Sequence, residues 1–155
     1  MARNYTEERS AIVNWLSRIE NFSFDVYGFC TIASESGRTI TITVAESLPS
    51  SWVSVPVALE LEDDPVRATL YALSKNMYLA ETHGAALALD PTNNTIFLQA
   101  RFDIVFLADI DCRSFLHAFE AIADSLEVGF EKYKHEVDNS HDQPQDSSSL
   151  SIIRM

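Results

Sequence analysis

The chain has 155 residues, 46% of them apolar and 10% aromatic, which is a globular composition of about one domain. Acidic residues number 23 against 11 basic ones, for a formal net charge of −12. That balance argues against a nucleic-acid binder or a protein docking on anionic lipid, both of which need clustered Lys and Arg, and suits a basic or unfolded partner. Cys30 and Cys112 belong to no C-x-x-C pair and read as two reduced, buried thiols. The first ten residues lack the apolar core of a secretory signal, and no apolar run approaches the roughly 18 residues of a membrane span. A cytoplasmic protein is expected.

The first predicted helix covers Thr6 to Glu20, capped by Asn4 or Thr6, with Glu7 and Glu8 at the positive end of its dipole. Ile12, Trp15, Leu16 and Ile19 recur at helical spacing on one face. Three predicted strands follow: Asp25 to Ala33, Arg38 to Val44, and Trp52 to Glu62. Ser34 to Gly37 is turn chemistry between the first two. In the third, Val53, Val55, Val57, Leu59 and Leu61 alternate with polar or small residues. Pro56 donates no hydrogen bond there, so an edge position or a bulge is expected.

Asp63-Asp64-Pro65 starts the second predicted helix, which runs to Thr82 and ends at His83-Gly84. Val66, Leu70, Leu73 and Met77 form a stripe, and Tyr71 and Tyr78 widen the apolar surface beyond it. A helix apolar on more than one face is buried on more than one side. A hairpin follows, Ala85 to Leu89 and Thr95 to Ile104, with Asn93 or Asn94 suited to a positive φ in its turn. The last helix starts near Asp109 or Asp111, with Phe115, Phe119, Ile122, Leu126 and Phe130 on one face. Residues 1–137 form the predicted domain. Residues 138–155 form a polar tail that closes on Leu150, Ile152 and Ile153.

Chemistry-bearing motifs are sparse. There is no Walker loop and no G-x-G-x-x-G, and His83, His117, His135 and His141 lie at no metal-ligand spacing. Asp63-Asp64 and Asp109/Asp111 each precede a predicted helix, so capping explains them without acid–base chemistry. No catalytic residue, metal or cofactor is expected.

The element order, helix, three strands, helix, two strands, helix, is α+β with a mainly antiparallel sheet packed by helices. Leu70 to Met77 resembles an "L-x-x-L-L-x-x-N" helix, with Ser74 in place of the second Leu. Gly84 to Asp90 resembles a "G-x-x-L-x-x-D" strand, and Phe24 to Cys30 an "L-x-F-D-x-x-G-x-C" strand opening. Together, over about Glu7 to Tyr133, they resemble the class I type III secretion chaperones, the family of the Tir chaperone.

The resemblance implies a homodimeric, non-enzymatic protein of the bacterial cytosol. Such a protein holds the N-terminal segment of one or more secreted effectors in an extended form, with the secretion ATPase a further partner to consider. Effector contact is expected over Ile12, Trp15, Leu16, Phe29, Val53 and Val55, and a dimer interface over Val66, Leu70, Tyr71, Leu73, Met77 and Tyr78. Packing against the chain's own sheet is the plainer role for Leu16 and Ile19. The competing reading is a module that sequesters a secretion-system regulator. A small-molecule domain has no candidate pocket residues in the sequence.

Overall fold

The computed structural model describes residues 4–19, 22–34, 36–59, 61–77, 79–102 and 109–141, with the side chains of the last three left aside. Helix α1 spans Tyr5–Leu16, strands β1, β2 and β3 span Phe29–Ala33, Thr39–Thr43 and Trp52–Val57, and helix α2 spans Pro65–Asn76. Strands β4 and β5 span Ala86–Asp90 and Thr95–Arg101, and helix α3 spans Cys112–His141. The order of elements is the one expected. The sheet is antiparallel throughout, in the spatial order β1-β2-β3-β5-β4.

Each helix starts where its cap falls. Asn4 Oδ1 accepts the Glu7 N–H, Asp64 Oδ1 accepts the Arg67 N–H with Pro65 just inside, and Asp111 Oδ2 accepts the Ser114 N–H. One sheet face carries Cys30, Ile40, Ile42, Val53, Val55, Leu87, Ile96 and Leu98 into the core. Ile12 and Leu16 of α1 and Leu116, Phe119, Ala123, Leu126 and Phe130 of α3 complete that core. The period-2 pattern of the strands and the helical pattern of α1 and α3 therefore meet in one layer. Both cysteines are free and buried; burial pushes the Cys112 thiol up to about 12 and also raises that of Cys30, which disfavours the thiolate of each.

Three expectations need correction. Strand β3, which holds Pro56, is central rather than an edge. Its ladder with β2 ends at Ser54, opposite Thr41. Phe102 N–H donates to Ser51 O, so residues 51, 53, 55 and 57 face β5 and the even residues face β2. Pro56 thus lies on the β2-facing side past the last β2 pair, where no N–H is required.

Strand β1 starts at Phe29 rather than Asp25, because the Asp25 carboxylate accepts the N–H groups of Tyr27 and Phe29 and folds the chain into a turn. Gly28 takes φ +87° in that turn.

Helix α2 stops at Asn76, well short of Gly84. The Asn76 side chain is bonded to Leu87, and the chain turns back through left-handed Leu79 and His83 before Gly84.

Candidate functional site

An antiparallel sheet that is not closed has two edges, and each outward N–H and C=O is a potential attachment point for another strand. Along β4 and the residue before it, the outward residues are Ala85, Leu87 and Leu89. Thr82 pairs with Ala85 through backbone and side chain, with its O accepting at 3.0 Å and its Oγ1 donating at 2.6 Å. Asn76 pairs with Leu87 in the same way, Nδ2 donating to Leu87 O and Oδ1 accepting its N–H, both at 2.8 Å. Two side chains of the α2 region therefore act as a substitute strand, and among the described residues only Leu89 stays open.

The stretch of β3 that β2 leaves uncovered is also closed. Arg38 Nη1 donates to Pro56 O at 3.0 Å, and the Ala58 N–H donates to Glu127 Oε1 at 2.6 Å. Arg38 forks onto Glu127 at 2.8 and 2.7 Å and also meets Asp124. Burial alone would raise the Glu127 carboxyl, but the Arg38 hydrogen bonds and the Ala58 N–H outweigh it and hold it below the usual carboxylate range. The hydrogen bonds of Glu127, followed by those of Asp124, likewise outweigh desolvation and keep Arg38 firmly charged.

Strand β1 is different. Val44 N–H donates to Gly28 O and Ser34 N–H to Arg38 O, so the even residues of β1 face β2 and Phe29, Thr31 and Ala33 face outward. Asp25 occupies Phe29, with its N–H donating to Phe29 O at 2.9 Å and its carboxylate accepting Phe29 N–H at 2.8 Å. Among the described residues nothing pairs with the outward groups of Thr31 and Ala33. This is the longest open stretch of edge in the described sheet.

A cleft of about 140 Å³ lies beside it, lined by Ile19, Ile32, Ala33, Ile40 and Leu116, with Arg113, His117, Ser34 and Glu120 at its polar margin. A dry cavity of about 150 Å³ holds a benzene ring, so this cleft suits one aliphatic or aromatic side chain. Glu120 is engaged through one carboxylate oxygen. The Ser36 and Ser34 hydroxyls bond its Oε1, the latter at 2.7 Å, and hold its carboxyl below the usual range. That contact pins the β1–β2 turn to α3 and keeps the cleft in shape.

The residues singled out from sequence fall into two groups. Ile12, Leu16, Val53 and Val55 expose nothing, and Trp15 is 6% exposed. Trp15 Nε1 donates to Ile110 O at 2.8 Å, and its ring meets Phe102 and Phe115 edge-on at 5.5 Å. The face of α1 expected to hold a partner is thus filled by the chain's own core. Phe29 is exposed at the start of β1, beside the more exposed Val26 and Tyr27.

On α2, Val66, Leu70, Leu73 and Met77 are more than half exposed, whereas Tyr71 is buried. Tyr71 Oη donates to Leu126 O at 2.7 Å and the ring packs on Phe130 and Tyr133. Tyr78 lies outside the described residues. Ile19 and Ile32 line the open cleft. In the sequence Ile19 belongs to the apolar stripe of the first predicted helix, and Ile32 carries no signal beyond its strand. The bonds of Asn76 to Leu87 and of Arg38 to Pro56 and Glu127 have no local sequence signal, since each acts across the fold.

A family model described as the Tir chaperone protein (CesT) family matches residues 16–127. No curated protein matches the chain by sequence. Among solved structures, the chain is similar to one described as the structure of the HopA1-SchA chaperone-effector complex. The TM-score is 0.56 at 12% identity, covering 83% of this chain and 95% of that one. It is also similar to one described as the Yersinia pestis type III secretion chaperone SycH in complex with a stable fragment of YscM2. There the TM-score is 0.50 at 12% identity, covering 76% and 94%. At that identity the two likenesses show a shared fold.

Proposed function

The chain belongs to the Tir chaperone protein (CesT) family, and from that membership we propose how this chaperone of type III secretion holds its cargo. An extended segment near the N-terminus of an effector adds to the open edge of β1. It pairs with the outward groups of Thr31 and Ala33 and sets one apolar side chain into the cleft of Ile19, Ile32, Ile40 and Leu116. The effector is kept unfolded there until delivery to the secretion machinery, with the secretion ATPase as receiving partner and the bacterial cytosol as the compartment. Phe29, with Tyr27 and Val26, continues the apolar surface where Asp25 ends the pairing.

The observation that carries this reading is the edge itself. The chain closes the β4 edge at Ala85 and Leu87 and the uncovered part of β3 at Pro56 and Ala58, yet among the described residues Thr31 and Ala33 stay bare beside an apolar cleft. A bare edge is an aggregation risk that natural sheets suppress, unless strand addition is its use. The exposed stripe Val66, Leu70, Leu73 and Met77 supports a second copy docking on α2, since an apolar patch of that kind seldom stays wet on a monomer. Nothing in the structure favours capture of a cytosolic regulator over an exported effector. Among the described residues no group of side chains forms a metal site, and no helix is long and apolar enough to cross a membrane.

The test is Ala33→Pro. Proline at an outward edge position removes no internal hydrogen bond but blocks an added strand. The variant should stay folded and lose co-purification of a co-expressed effector, with that effector degraded in the cell. Full retention of the effector by Ala33→Pro would contradict the reading.

A further inference from the structure

The cleft beside β1 is bordered by a cation that forms no ion pair among the described residues. Arg113, the second residue of α3, lines the cleft and is exposed. Asp111 and Cys112 feel its charge, and it forms an ion pair with neither. Asp111 is already engaged by the N–H and Oγ of Ser114, both at 2.9 Å, and sits 3.9 Å from Arg18. A cation in a first helical turn faces the positive end of the dipole, and no acidic residue of α3 offsets it in that turn. Arg113 is therefore held where its own helix disfavours it, in a chain whose net charge is −12.

The rest of the cleft fixes a direction. Arg113, Leu116, His117 and Glu120 share one face of α3. The seven-residue step from Arg113 to Glu120 is about 10 Å of helix, or about three residues of strand. Leu116 lies between them, under the place for an apolar side chain. Glu120 closes the far end, with its carboxylate taken by Ser34 and Ser36. Side chains two apart on a strand point to the same side. The neighbour of the apolar anchor in the direction of α3's start therefore arrives at Arg113.

We propose that the effector segment taken by this chaperone carries an apolar anchor with a carboxylate two positions away, and that Arg113 reads that carboxylate. The rule rests on strand addition at β1 and runs against the overall charge, which by itself favours a basic segment.

The test uses the full chain and fluorescein-labelled peptides of about twelve Thr, Ser and Val residues, enough to cover the edge. Each has one central Leu and carries Asp, Gln or Lys two positions before or after it. Binding is followed by anisotropy at low salt. At one of the two positions the Asp peptide should bind roughly five-fold or more tighter than the Lys peptide. Arg113→Gln should level the series and Arg113→Glu should invert it. The Glu variant places an acid where a helix favours one, so the fold is retained. Equal affinities across the series, or an order unchanged in Arg113→Glu, overturn the charge rule and leave strand addition standing. No saturable binding of any peptide overturns both.

Discussion

Gly28 and Gly37 share a φ of +87° but differ in their surroundings, and that difference is measurable. A Cβ at Gly28 would overlap the Val44 carbonyl oxygen, which accepts no displacement because it belongs to the backbone beside β2. A Cβ at Gly37 meets open space. Gly37→Ala should therefore cost about 1 kcal/mol, the left-handed penalty alone, and Gly28→Ala clearly more than 2 kcal/mol, both read from urea unfolding. Equal costs would show that the turn at Asp25 is not packed as described.

Trp15 makes a related point. Its indole is buried, hydrogen-bonded and ringed by Phe102 and Phe115, so Trp15→Ala should destabilise the fold by about 3–5 kcal/mol. At a temperature where the variant is still folded, effector affinity should be unchanged. A large loss of binding with little loss of stability would return Trp15 to the partner surface.

At the scale of elements, the Arg38 cluster joins the β1–β2 hairpin, β3 and α3. The carboxyls of Glu127 and Glu120 titrate below their ordinary value in the folded chain. A depressed carboxyl contributes stability that is whole above its unfolded value, about 4.5, and is lost as pH falls below that. The urea midpoint should decline as pH falls below about 4.5. Arg38→Gln should lower stability at pH 7 by about 2 kcal/mol and make the acid decline shallower. An identical pH profile in the variant would remove Arg38 from the cause.

This cluster also shows what the sequence could disclose. The existence and order of the elements followed from periodicity: the alternation in Val53, Val55 and Val57, and the stripe from Phe115 to Phe130. Strand placement did not follow. Pro56 reads locally as an edge residue, and only the early departure of β2, with Arg38 and Glu127 as substitutes, lets it sit in the central strand. The pairing of Asn76 with Leu87 and the emptiness of Thr31 and Ala33 depend on which strands are neighbours, which no local pattern encodes. The face of α1 was read correctly as apolar, but whether an apolar face meets its own sheet or a partner is settled by packing, and here the sheet covers it.

At the scale of the whole molecule, the described residues present two surfaces with different chemistry. One is the stripe on α2, where Val66 is 68% exposed, Leu73 61% and Met77 65%. Docking of a second copy there should make the protein a dimer at micromolar concentration. Leu73→Glu, at a position already exposed in the single chain, should give a folded monomer by sedimentation velocity. A wild-type monomer at that concentration would rule the interface out.

The other surface is the edge of β1 with its cleft, and hydrogen exchange addresses it residue by residue. Amide exchange would be measured on the full chain alone and in complex with the N-terminal segment of its effector. Strand addition should slow the outward amides of Thr31 and Ala33 by at least an order of magnitude, as expected when an exposed N–H enters a ladder, and leave Leu87, already paired with Asn76, unchanged. Unaltered exchange at Thr31 and Ala33 in a saturated complex, with new protection elsewhere, would contradict binding at this edge.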